Sequence, residues 1–389
     1  MRHHLYNPDF KFVKEPAQFD KNSSKKLLQF CLGATLYTPG TKDLKEKLIN
    51  ENKLAGLTSL VLDCEDSISE SDLHEAEENI ISILEYTANM LDKGKLDKSD
   101  LPLLFIRVRN IDHFKQFSKK FSKQHLEIIT GFNFPKFDTR NAKEYLNQLE
   151  NLNNKYNKKL YGMPILESKE LAYKEKRIHN LVNLKDIIQP YKKFILNIRV
   201  GATDFSSLFS LRRGINFSIY DLTVVEECLS DIINCFCRDE EGYVISGPVW
   251  EYFSSADNLN LNQIDQTKNK DLYSKLLKHG KLINKEIDGL LREIILDRLN
   301  GFIGKTIIHP SHIRYVNALQ TVTMEEYRDA RQIVSEDDGV IKSYSGNKMN
   351  EIKPHRSWAE RTICRAQAYG VIENKSDYFK LMFKRKDQE

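Results

Sequence analysis

Short apolar runs, rich in β-branched and aromatic residues, alternate along the chain with longer charged stretches. The runs are QFCLGATLYTPG (29–40), LTSLVLDCED (57–66), LPLLFIRVRN (101–110), GFNFPKF (131–137), LYGMPILES (160–168), KFILNIRVGATDF (193–205), GYVISGPVWEYF (242–253) and GKTIIHPSHI (304–313). Between them, SDLHEAEENIISILEYTANMLDKG (71–94), TRNAKEYLNQLENLNNKY (139–156) and DGLLREIILDRLNG (288–301) place apolar residues at helical spacing. Eight strands alternating with helices predict a parallel sheet built from βαβ units. The runs are nearly continuous in apolar residues, as strands covered on both faces should be. An open doubly wound sheet would carry fewer strands and a GxGxxG turn after the first, which this chain lacks. The pattern therefore predicts an α/β fold, a closed (β/α)8 TIM barrel.

The two ends depart from this rhythm. Residues 1–27 read as an N-terminal extension, 28–320 as the barrel, and 321–389 as a helical C-terminal segment serving as lid or oligomerisation element. Within that segment TMEEYRDARQIV (323–334) is a helix, with Thr323 and Glu326 spaced as a capping box. Residues 335–355 read as loop and RSWAERTICRAQAYGVI (356–372) as helix, and a long loop is expected after the seventh strand, over 254–285.

Composition narrows the function classes. The 389 residues carry 59 basic and 55 acidic side chains, well mixed, for a net charge of +4. With no basic arm and no basic run interleaved with aromatics, nucleic acid is not an expected partner. No apolar run approaches the ~18 residues of a membrane span, and the N-terminus has no signal-like apolar stretch, so the expected address is the cytoplasm. The six cysteines are scattered, and the CFC at 235–237 has the wrong spacing for zinc, so reduced thiols are expected. His3 and His4 read as incidental.

In a (β/α)8 barrel the chemistry gathers at the carboxyl ends of the strands. Those ends here supply Asp63, Glu65 and Asp66; Arg107 and Arg109; Lys136; Glu167 and Ser168; Asp204 and Ser206; Trp250 and Glu251; and His309. Acids from strands two, five and six facing arginine and lysine suggest a cation site with anion clamps around it. Oxygen ligands without a Cys/His cluster point to Mg2+, with Mn2+ the alternative, over zinc. Competing readings stand beside these. Asp63 can be a buried acid bonded to backbone amides, Glu65 and Asp66 can serve a helix N-terminus, and Glu167 and Asp204 can pair with Arg107 or Lys136. His309 can cap a loop or touch substrate, Lys136 can form an imine in a metal-free aldolase, and Arg212 and Arg213 can bind an anion or coat a solvated helix. Trp250 and Glu251 are expected to shape the rim.

VLDCEDSI, IRVRN, FPKF, PILES, VGATDFSSL and GFIGKTIIHPSHI occur in the order seen in the citrate lyase β-subunit / HpcH–HpaI aldolase superfamily, which the chain resembles over about residues 30–335. LRRGINFSIYDL (211–222), ISGPVWEYF (245–253) and KMNEIKPHRSWAERT (348–362) resemble its longer subgroup, the C–C bond lyases of the TIM-barrel fold. The resemblance implies a metal pair at Glu167 and Asp204, with Glu65 and Asp66 ordering metal-bound water. It makes Arg107 the grip on a substrate carboxylate or thioester oxygen. It implies a Mg2+-dependent lyase or aldolase acting through an enolate of a small carboxylate or acyl thioester, with coenzyme A as one carrier, in a homo-oligomer (a trimer or larger multiple). Lys136, His309 and Trp250 then fall among the substrate contacts. Arg109 replaces the family's asparagine and would add a second cation for an extra carboxylate or phosphate. Two other expectations remain: the Lys136 imine aldolase, and a non-catalytic scaffold barrel of a stress-related operon.

Overall fold

The computed structural model describes residues 1–49, 54–238, 242–254, 272–278 and 280–383. All eight expected strands form: β1 (Ala34–Pro39), β2 (Ser59–Asp63), β3 (Leu103–Arg107), β4 (Ile129–Phe134), β5 (Tyr161–Leu166), β6 (Ile198–Val200), β7 (Ile245–Ser246) and β8 (Lys305–Ile307). Each pairs in parallel with its neighbour in sequence, and β1 also pairs with β8. Gly247, just past β7, bridges to Lys305 of β8, and this contact closes the ring into a (β/α)8 barrel. β2, β4 and β5 are buried at every position, because helices cover one face and the barrel interior the other.

The covering helices follow the apolar spacing. In Leu73–Asp92, Ala76, Ile80, Ile83, Leu84 and Thr87 form the buried stripe. Ala142–Tyr156 ends at Asn157, whose left-handed φ of 50° breaks the helix. One apolar core fills the space between helices and strands. A second fills the barrel's amino end, where Val61, Phe105, Tyr161 and Met163 meet Phe19 and Tyr369 from the two chain ends.

Both chain ends thus cover the amino-terminal side of the barrel. His3 and His4 are buried there, bonded to the carbonyls of Ala368 (2.9 Å) and Tyr369 (3.0 Å). They are therefore structural, which corrects the reading of them as incidental. The capping box of Met324–Ser335 forms as expected, and Ile352–Tyr369 is helical. The stretch read as loop instead holds a hairpin of Val340–Lys342 and Met349–Glu351. The loop expected over 254–285 lies largely outside the described residues. Among the described residues no helix is long and apolar enough to cross a membrane.

Candidate active site

The carboxyl end of the barrel opens into a cavity of about 460 Å³, lined among others by Asp63, Asp66, Arg107, Glu167, Arg199 and Asp204. Strand alternation explains the set. Asp63 and Arg107 end β2 and β3 in register with each other, Glu167 directly follows β5, and Asp204 lies in the first turn of the helix Ala202–Leu208 after β6.

Asp63 is the hinge of one half. Its Oδ1 accepts from the Glu65 amide (3.0 Å), so the buried, amide-bonded reading of this acid describes its position. Both its oxygens also accept from Arg107, Nε and Nη2 at 2.6 Å each, a fork-on-fork pair. Arg107 Nη1 reaches Glu65 at 2.7 Å and Asp66 at 3.7 Å. Burial opposes the Arg107 charge, but Asp63 and Glu65 hold it firmly ionised. Lys136 Nζ pairs with Glu65 and, at 3.2 Å, with Asp66. Burial works against that ammonium too, yet the two acids raise its pKa above the lysine norm. Burial pushes Glu65 up to about 7, against the pull of Arg107. Asp66, although burial would raise it, is held below the usual carboxylate range by its bond with Glu65 and by Arg107 and Lys136.

The other half is acidic. Glu167 is 4% exposed, and its Oε1 accepts from the Lys136 amide at 2.8 Å. Lys136 offers that amide from a left-handed backbone, φ 47°, a sparsely populated conformation for a side-chain-bearing residue. Glu167 and Asp204 line the same cavity. Burial, then the charge of Asp204, lifts Glu167 well above the carboxylate range; burial, then Asp66, lifts Asp204. Among the described residues neither acid forms an ion pair with lysine or arginine, so the salt-bridge reading of this pair does not describe their positions. Gly201 makes room for them: a Cβ there would lie 2.0 Å from Glu167 Oε2.

Two acids that resist joint ionisation, Glu167 buried and Asp204 half-buried on one cavity wall, fit a hard divalent cation. Among the described residues no group of three or more Asp, Glu, His or Cys forms a ready-made cage. Mg2+ needs only one or two carboxylates, with water and substrate oxygens completing its shell.

Other expected contacts lie elsewhere. Arg109 turns away from the cavity and donates to the carbonyls of Ile68 (2.6 Å) and Ser69 (3.2 Å). Strand alternation ends at Arg107, so the second cation expected at 109 serves the loop after β2. Trp250 is fully buried with its indole N–H on the Glu286 carbonyl (2.9 Å), which corrects its placement at the rim. Arg213 stacks on it (4.7 Å) and pairs with buried Glu293, so it is neither an anion receptor nor solvated. Arg212 lines a neighbouring cavity of about 340 Å³ with Glu251. His309 caps the turn Pro310–His312 through Ser311 and stacks on Phe253 at 4.5 Å. Ser206 donates to the Ala202 carbonyl. The cysteines are free thiols, four of them buried.

Arg199 and Tyr37 were missed by reading strand ends alone. Both lie inside apolar runs, and the available signal was alternation: Arg199 falls two residues before Gly201, on the inward side of β6.

Fold and pocket together define a (β/α)8-barrel enzyme whose acids and fixed cations meet at the carboxyl ends of its strands. The model of the family described as C–C bond lyase of the TIM-barrel fold matches residues 26–371, and the chain belongs to that family. It is thus a carbon–carbon lyase. No curated protein matches it. CitE from Mycobacterium tuberculosis, solved with magnesium, acetoacetate and coenzyme A, is similar at 16% identity and TM-score 0.50, over 87% of this chain and 99% of that one. A citrate lyase from Burkholderia xenovorans LB400 is similar at 16% identity and TM-score 0.59, over 90% and 96%. At such identity these structures share the fold.

Proposed function

We propose that the chain is a Mg2+-dependent lyase that cleaves or forms a carbon–carbon bond beside the carbonyl of a small carboxylate or acyl thioester. The observation that carries this reading is the Glu167–Asp204 pair on one cavity wall, Glu167 buried and Asp204 half-buried, neither of them in an ion pair with lysine or arginine among the described residues. A divalent cation held by these two acids would supply Lewis-acid charge next to the substrate carbonyl. The magnesium and small acid in M. tuberculosis CitE point the same way.

The remaining roles follow from the chain's own groups. Cleavage leaves an electron pair that delocalises onto a carbonyl oxygen as an enolate, which fixed positive charge in a sheltered site stabilises. Arg107 provides such charge, already oriented by Asp63 and Glu65. Glu65 and Asp66, pinned by Arg107 and Lys136, orient water at the cavity mouth. Lys136 is held as an ammonium between two acids, a poor state for an imine-forming nucleophile, so its role is to hold those acids. The C-terminal segment lies at the opposite end from its own pocket, so a lid built from it would come from a second copy.

Glu167→Gln and Asp204→Asn test the reading. Titration calorimetry with Mg2+ should lose binding in either variant, and turnover of 2-oxo acids or their thioesters should fall with it. Wild-type Mg2+ affinity and turnover in both variants would refute this metal site.

A further inference from the structure

Arg199 is the one guanidinium in the cavity wall whose partners are all neutral. It is 1% exposed. Nη1 donates to the Thr35 hydroxyl at 3.2 Å and Nη2 to that of Thr306. Among the described residues its Nε has no hydrogen-bond partner, and the guanidinium lies 5.6 Å from the Tyr37 ring centroid. Among the described residues no carboxylate pairs with it, although Asp63, Asp66, Glu167 and Asp204 line the same pocket. Arg107 offers the contrast. Asp63 and Glu65 already occupy its fork, so the arginine singled out by position in the sequence has little left to give a ligand.

A buried charge without a counter-charge is costly, and chains normally pair it or replace it. Here the cation faces a cavity large enough for a small molecule. The planar fork of arginine matches a carboxylate. We infer that Arg199 is the receptor for a second carboxylate of the substrate, so the substrate is a small acid carrying a carboxylate at each end. One end would lie toward Glu167 and Asp204, the other against Arg199 beside Thr306, which lines the same cavity. This deepens the proposed lyase reading and rests on it only for the position of the first end. Binding energy at the remote end would hold the bond to be broken in place.

The test is calorimetry on the full chain with Mg2+ and two matched pairs of probes: 2-oxoglutarate against 2-oxovalerate, and malate against 2-hydroxybutyrate. In the wild type at least one dicarboxylate should bind about tenfold tighter than its monocarboxylate partner. Arg199→Gln should bring that ratio to about one while leaving the monocarboxylate within about twofold of wild type. Arg199→Met should raise the melting temperature, because it removes an unpaired buried charge, whereas loss of a purely structural arginine would lower it. If Arg199→Gln does not fold, Arg199→Lys carries the test, and it should cut the ratio at least about threefold because ammonium lacks the fork.

A wild type without the preference, whether both partners bind equally or no probe binds, overturns the inference, as does a preference that survives these variants. If the monocarboxylates bind only with Mg2+ and no preference appears, Arg199 has been misread and the metal site stands. If the preference depends on Arg199 but binding ignores Mg2+, the metal reading falls and Arg199 stands.

Discussion

Gly201→Ala isolates the geometry of the acid pair from its chemistry. The residue has φ −98° and ψ 76°, in no need of glycine's freedom, so alanine brings no left-handed backbone strain. What it brings is a methyl group 2.0 Å from Glu167 Oε2, 2.5 Å from its Cβ and 3.0 Å from its Cδ. Ordinary carbon contacts lie at about 3.5–4.0 Å, so the carboxylate oxygen must retreat by about 1.5 Å. The Cβ contact is the more telling, because no rotation of χ angles relieves it: β5 and the turn after β6 must separate. Overpacking of this kind costs about 1–3 kcal/mol, and a ligand displaced by about 1 Å loses about 100-fold in a positioned function. We therefore expect Gly201→Ala to fold, melt a few degrees lower, and lose about 100-fold in Mg2+ affinity by calorimetry or in turnover. Gly214→Ala is the control, since its Cβ would meet only Phe217 at an ordinary 3.5 Å. A Gly201→Ala variant with wild-type Mg2+ affinity, beside an equally silent control, would show that Glu167 does not need its position.

Two further predictions concern stability. Lys305 is fully buried between Glu293 (2.9 Å) and Asp297 (2.7 Å), so Lys305→Met should leave buried acids under-compensated and cost about 3–5 kcal/mol in urea unfolding; a loss below about 1 kcal/mol would contradict the role assigned to this triad. Burial lowers His3 to about pH 4, so its neutral form is favoured in the folded chain. Stability from this group should be complete above about pH 6.5 and drain away as pH falls toward about 4, by about 3 kcal/mol at most. His3→Gln should flatten that part of the urea-midpoint profile, and an unchanged slope would place the acid sensitivity elsewhere.

The sequence pattern carried the barrel because each strand is short, apolar and flanked by helical spacing, so eight periods could be counted without knowing a single contact. It also carried the capping box at Thr323 and Glu326, which is a local device. Side-chain direction just beyond a strand was less legible. Arg107 points inward because it is still paired in β3, whereas two residues later the backbone has left the sheet and Arg109 swings to the Ile68 carbonyl. Trp250 follows a strand of only two residues, and its indole is placed by Gly289 and Glu286 on a distant helix, which no local pattern encodes. His3 and His4 are fixed by carbonyls at 368 and 369, contacts that exist only once the two chain ends meet beneath the barrel. Arg199 could be read as an apolar run's interior oddity, but only the assembled barrel shows that no acid among the described residues answers it.

That last point bears on why three carboxylates crowd the end of β2. Asp63, Glu65 and Asp66 are answered by Arg107 and Lys136 from the next two strands, so that half of the pocket neutralises itself. Among the described residues Glu167 and Asp204 have no cation partner and Arg199 no anion partner, although all three border one cavity. A chain shaped by stability alone would bring the surplus acid and the surplus cation together, since an ion pair across the pocket would relieve the burial of both. Keeping them apart leaves two unmet charges of opposite sign facing the same space. A divalent cation together with a substrate anionic at its far end meets both at once, and neither alone does so.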